Sequence, residues 1–79
     1  MKAICVTIFK DQTMSGYLVT KVFACGYRIG RRAAGQSPEE AAAVAIDAAA
    51  RMGGFCPIVA PPEVMKCIPA SVRARIRKI

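Results

Sequence analysis

The sequence predicts an α+β domain. The expected core is a three- to four-stranded antiparallel sheet, one face covered by an alanine-rich helix, with a short C-terminal helix at an edge or end. Three observations carry that expectation. Residues 2–10 alternate with period two and are rich in β-branched side chains. Residues 17–33 read as two strands around one turn. Residues 37–52 carry an apolar stripe at helical spacing between a start and a stop signal. A chain of 79 residues has room for one core and no second domain, so residues 1–79 are read as a single domain.

The first strand places Ile4, Val6 and Ile8 on one face and Cys5, Thr7 and Phe9 on the other. Asp11 to Gly16 is polar and closes on glycine, which reads as a loop. In the hairpin that follows, Cys25-Gly26 is the turn signal. A two-residue loop there sets Ala24 against Tyr27, Phe23 against Arg28, Val22 against Ile29 and Val19 against Arg32. One face then carries Leu18, Val22, Ala24, Tyr27, Ile29 and Ala33, with Thr20 and Arg31 at its outer end. The other carries Tyr17, Val19, Lys21, Phe23, Arg28 and Arg32. The first face is expected to be the core, which leaves the second presenting aromatics interleaved with cations.

Ser37-Pro38-Glu39-Glu40 opens the helix. Serine falls at the N-cap, proline at the first helical position and Glu40 at the third. The Ser37 oxygen is expected to accept from the Glu40 amide while the Glu40 side chain reaches back to the Ser37 amide. That arrangement, with both glutamates at the positive end of the helix dipole, accounts for the pair better than acid/base chemistry does. Ala41, Val44, Ala45, Ala48 and Met52 form the stripe, flanked by Ile46 and Ala49, and Asp47 can pair with Arg51 one turn on. Gly53-Gly54 ends the helix. Phe55 to Ala60 offers a fourth strand, broken by Pro61-Pro62. Glu63 to Ile68 fits either a helical turn or a short strand. In the tail, Val72, Ile76 and Ile79 share a helical face, while Val72, Ala74 and Ile76 also alternate with Arg73, Arg75 and Arg77. The Pro69-Ala70-Ser71 start favours helix.

Composition narrows function. There is no histidine, so no Ser–His or Cys–His nucleophile pair and no His-containing zinc site can be built. Five carboxylates are few for a paired-acid or magnesium site. Cysteines at 5, 25, 56 and 67 contain no C-x-x-C pair and read as small buried thiols of a cytosolic protein. The apolar run 3–9 is better explained as a strand than as a signal segment, and the alanine-rich stretch is too short to span a bilayer. A non-catalytic binding protein is expected, with no metal, no cofactor, no small-molecule substrate and no membrane.

The net charge is +7, from twelve basic and five acidic side chains. Seven of the cations fall in two clusters. Arg28, Arg31 and Arg32 lie on the hairpin; Arg73, Arg75, Arg77 and Lys78 lie at the C-terminus. The hairpin cluster, with Lys21 and Phe23 on the same strand face, and the tail arginines Arg73, Arg75 and Arg77 are the expected partner-binding residues. Arginine beside aromatics suits either a protein interface or contact with nucleic acid.

The order strand, hairpin, then Gly35-Gln36-Ser37-Pro38-Glu39-Glu40-Ala41-Ala42-Ala43 helix, then the tail Cys67-Ile68-Pro69-Ala70-Ser71-Val72-Arg73, resembles small anti-CRISPR proteins. These are encoded by phages or mobile elements and inhibit bacterial type I CRISPR systems. The likeness spans residues 17–73 and brings no catalytic motif with it. It implies a protein of the bacterial host cytoplasm that binds Cas subunits of the Cascade surveillance complex, or its recruited nuclease, and blocks target-DNA binding or cleavage. Many such inhibitors are acidic mimics of DNA. A chain of charge +7 must instead use an acidic or protein-lined surface, or lean on the guide RNA. The alternative is a small basic module that binds DNA or RNA by itself.

Overall fold

The computed structural model describes residues 3–12, 15–23, 32–51 and 55–76. The expected Cys25-Gly26 turn, Arg28, Arg31, Met52, the Gly53-Gly54 stop, Arg77 and Ile79 lie outside them. The fold is α+β, as expected. Strands β1 (Ala3–Lys10), β2 (Tyr17–Phe23), β3 (Arg32–Ala33) and β4 (Ile58–Val59) form one sheet in the order β3-β2-β1-β4. Helix α1 (Pro38–Arg51) lies on one face. The short helices α2 (Pro62–Met65) and α3 (Ala70–Arg73) follow.

The sheet is mixed rather than wholly antiparallel. β1–β2 and β2–β3 are antiparallel, but β4 runs parallel to β1, with Val6 opposite Ile58. The direction follows from counting reversals. Two antiparallel steps leave β3 running as β1 does, and α1 carries the chain back to the end where β1 begins. A strand laid beside β1 from there runs with it. The Val6 amide donates to the Pro57 carbonyl at 2.8 Å, extending the ladder by one residue. Pro57 itself has no N–H to give, which an edge strand tolerates.

Helix α1 begins as its sequence requires. The Glu40 amide donates to Ser37 Oγ at 3.2 Å. The return contact differs from the expected one: the Ser37 hydroxyl donates to Glu40 Oε1 at 3.2 Å. A hydroxyl can accept from the amide and still turn its proton toward the carboxylate, so the glutamate is held by serine's side chain. Gly35 sits at φ +92°, and a Cβ there would stand 2.5 Å from Glu40 Cβ. The cap is therefore packed against a position that only glycine can fill.

Five alanines of α1 (Ala41, Ala42, Ala45, Ala48 and Ala49) are buried, with Val44 and Ile46 half-buried beside them. They meet Val6, Ile8, Tyr17, Val19 and Ile58 of the sheet, and Cys56, Val64 and Ile68 complete the core. The tail is helical at both points where the sequence left a choice. Val64 on α2 is buried, and Val72 and Ile76 pack against the core from α3 and the turn after it.

Two face assignments are corrected. Val19 does face Arg32, but the core side of β2 is the Tyr17/Val19 side and not the Leu18/Val22 side. Leu18 and Val22 are half-buried outside the core cluster, and Ala33 is exposed. Pairing within a hairpin fixes which residues share a face but not which face is covered. Here β1 decides: Ile8 lies opposite Val19 and Val6 opposite Lys21. The second correction is Ile4, expected on one face with Val6 and Ile8, which are buried, but itself 50% exposed. A bulge between Ala3 and Cys5 breaks the alternation there.

Replacing Gly35 with alanine forces a contact as well as a backbone strain, so its cost should exceed about 1 kcal/mol. Ser37→Ala removes only the cap, worth about 1 kcal/mol. Urea midpoints of the two variants should fall in that order, with Gly35→Ala the less stable.

Candidate functional site

The inverted hairpin face changes what the cations do. Lys21 and Arg32 lie on the side covered by α1, one beside the end of the helix and the other on the short edge strand. With α1 they border a groove of about 450 Å³. Val19, Val44 and Ala48 give it an apolar floor, and β3 borders it at Ala33. Lys21, Arg32 and Arg51 stand over it from β2, β3 and α1, with Asp47 the one carboxylate among the described lining residues. Its volume falls within the range of ligand pockets, roughly 300–1,000 Å³.

Three cations against one carboxylate leave the groove a formal charge of +2. Arg51 Nε meets Asp47 Oδ2 at 2.9 Å, yet the two side chains remain 73% and 65% exposed. A helix-surface pair of this kind contributes only about 0.3–0.5 kcal/mol, so an incoming anion can compete for the guanidinium at little cost. Arg32 is exposed and Lys21 half-buried. The arrangement can take an anionic group against the rim and an apolar one against the floor.

The expected site residues therefore separate. Lys21 and Arg32 come together. Phe23 is half-buried at the β1 bulge, paired with Ala3. Arg73 and Arg75 are exposed, and the Arg75 guanidinium lies 4.8 Å from the centre of the Phe55 ring. Phe55 leads into β4, on the far edge of the sheet from β3. Three strand spacings, about 14 Å, separate those edges, so the tail arginines do not join the groove. Arg51 was not among the expected site residues. Its spacing from Asp47 marked it as half of a surface pair, and only the crossing of α1 over β2 brings it to Arg32.

Tyr17 is also corrected, from an exposed aromatic to a buried one. Its hydroxyl donates to Glu63 Oε2 at 3.0 Å, tying β2 to α2. Cys67 Sγ reaches the Glu63 carbonyl at 3.4 Å and Glu39 Oε1 at 3.8 Å. Burial, then the Glu63 carboxylate, pushes the Tyr17 phenol above its ordinary value. Burial, then Glu39, does the same to the Cys67 thiol. A thiol held protonated is a poor nucleophile, and the cluster acts as a clasp between elements. Among the described residues no three His, Cys, Asp or Glu side chains are placed to hold a metal ion, and no helix is long and apolar enough to cross a membrane.

Both shifted groups hold their protons more tightly folded than unfolded. Their contribution is complete below the unfolded values and is lost as pH rises through the folded ones. Denaturant midpoints should thus fall from about pH 8.5–10 upward. The fall should be shallower in Tyr17→Phe, which cannot ionise. No protein-family model matches the chain, and no curated protein matches it.

Proposed function

We propose that this chain is a stoichiometric, non-catalytic binding protein that docks on an anionic partner surface through the groove between α1 and the β2–β3 edge. The convergence of Lys21, Arg32 and Arg51 from three elements over an apolar floor carries the reading. Isolated surface cations are ordinary on a chain of charge +7. Three that meet over an apolar hollow form a surface able to recognise an acidic group beside an aliphatic one.

The partner proposed is a type I CRISPR surveillance complex in the bacterial cytoplasm, bound at a Cas subunit so that target-DNA binding is blocked. The resemblance of the Gly35–Ala43 helix start and of the element order to small anti-CRISPR proteins supports that choice. The position of the charge supports an acidic or RNA-lined docking surface over DNA mimicry. Arg73 and Arg75, at the opposite end of the sheet, would serve as a separate contact.

The second reading, direct binding of nucleic acid, is favoured by the same three cations. It predicts affinity for DNA or RNA alone. If each cation neutralises one phosphate, the logarithm of affinity should fall against the logarithm of salt with a slope of about −2 to −3. Binding to nucleic acid alone with that slope selects this reading over the first.

For the first reading, purified Cascade should lose its target-DNA shift when the chain is added in equal amount. The double reversal Arg32→Glu/Arg51→Glu should weaken inhibition by about tenfold or more with an unchanged circular dichroism spectrum. Unaltered DNA binding and cleavage across type I subtypes would remove the CRISPR target. Inhibition untouched by the double reversal would remove the groove.

A further inference from the structure

Helix α1 packs chiefly on β1 and β2, and the groove lies where β2 and β3 pass beside it. A helix with its side chains is about 10–12 Å across and strands lie about 4.8 Å apart, so one helix spans two strands and leaves a third. The groove runs along α1 at Val44, Asp47, Ala48 and Arg51, spaced i, i+3, i+4 and i+7. That is the spacing by which a helix meets a second helix. From Val44 to Arg51 it extends about 10 Å, two helical turns. Val19 and Ala48 are each 7% exposed, so the floor is packed from below, while Val44 keeps part of its surface open.

We propose that the groove seats an acidic amphipathic helix of the partner protein, lying alongside α1 over β2 and β3. Charge selects the face that helix presents. Lys21, Arg32 and Arg51 stand around the floor, so the incoming helix carries carboxylates beside an aliphatic row. The floor of Val19, Val44 and Ala48 is aliphatic too, and a leucine or isoleucine set on it gains by burial alone. Ala48 adds a single methyl to the ridge, which lets two helix axes come close. Asp47 sits in the same groove, 2.9 Å from Arg51 Nε. A nucleic-acid strand, charged at every phosphate, meets that carboxylate as a repulsion and gains little from the floor. A helix can set its own side chains opposite each sign. A docked helix presupposes the groove of the proposed function and narrows its partner to a protein element.

Titration of the isotope-labelled full chain, followed by amide NMR, tests the helix. The probe is an acetylated, amidated, alanine-based peptide of about fifteen residues, with leucines and glutamates on one face at helical spacing. Its control has the same composition with leucines and glutamates on opposite faces. The first peptide should shift the amides of Val19, Lys21, Arg32, Val44 and Ala48. It should bind about tenfold or more tightly than the control, the share of one buried leucine. Val44→Thr, which puts a hydroxyl on the floor, should weaken the first peptide about threefold or more and leave binding of a decauridylate strand unchanged. Equal affinity of the two peptides overturns the inference, as does the absence of groove shifts at millimolar peptide. A decauridylate that shifts the groove amides at lower concentration than the first peptide overturns it in favour of nucleic acid. Arg32→Glu/Arg51→Glu should abolish the peptide shifts. Cascade inhibition that ignores this double reversal removes the groove itself. Equal peptides together with reversal-sensitive inhibition remove only the helix.

Discussion

Helix α1 meets the sheet through alanines, and the rest of the molecule is arranged around that contact. A side chain of one carbon lets the helix axis come close, so Val6, Ile8 and Val19 are sealed with little bulk from the helix. The same closeness leaves the wider side chains at the helix margins. Val44 is only half-buried, and beyond it the space between α1 and the β2–β3 edge opens into the groove. A leucine-lined helix would sit further out and cover that edge. The thin core and the hollow beside it are two results of one choice of residue.

Much of the architecture could be read from residues alone, because its signals are local. The period of β1, the Ser-Pro-Glu-Glu cap and the prolines ahead of each tail helix act within a few residues of themselves. What escaped depended on residues far apart. Leu18 with Val22 and Tyr17 with Val19 are equally plausible inner pairs, and only the register with β1 separates them. The parallel β4 follows from the parity of chain reversals, which no composition signal carries. Arg51 entered the site by the same route. The register placing Val19 opposite Arg32 was legible, and so was a basic residue at the end of the helix. Their meeting required knowing which face the helix covers.

The acidic side chains are as unevenly placed as the basic ones. The Glu63 carboxylate accepts from Tyr17 and that of Glu39 from Cys67, while Glu40 is engaged by Ser37. Three of the five carboxylates thus hold elements together at the start of α1 and at α2. A fourth, Asp47, is the one described at the groove, and its partner there is largely exposed to a competitor. The positive potential at the groove follows from where the acids are spent as much as from the number of arginines. Mixed charge in a small domain here divides into a clasp on one side and a receptive rim on the other.

The parallel pairing of β4 with β1 also sets a schedule for synthesis. Val6 must wait for Ile58, fifty-two residues later, before its outer backbone edge has a partner. At about 5–20 residues per second, that interval lasts roughly 3–10 s on the ribosome. Through it the nascent β1–β2 pair can form, yet both of its faces are apolar and α1 is not yet complete. A chain built this way gains from whatever shields an early hairpin, whether the exit tunnel, a holdase or slow release. The last short strand, only two residues long, is the piece that closes the β1 edge.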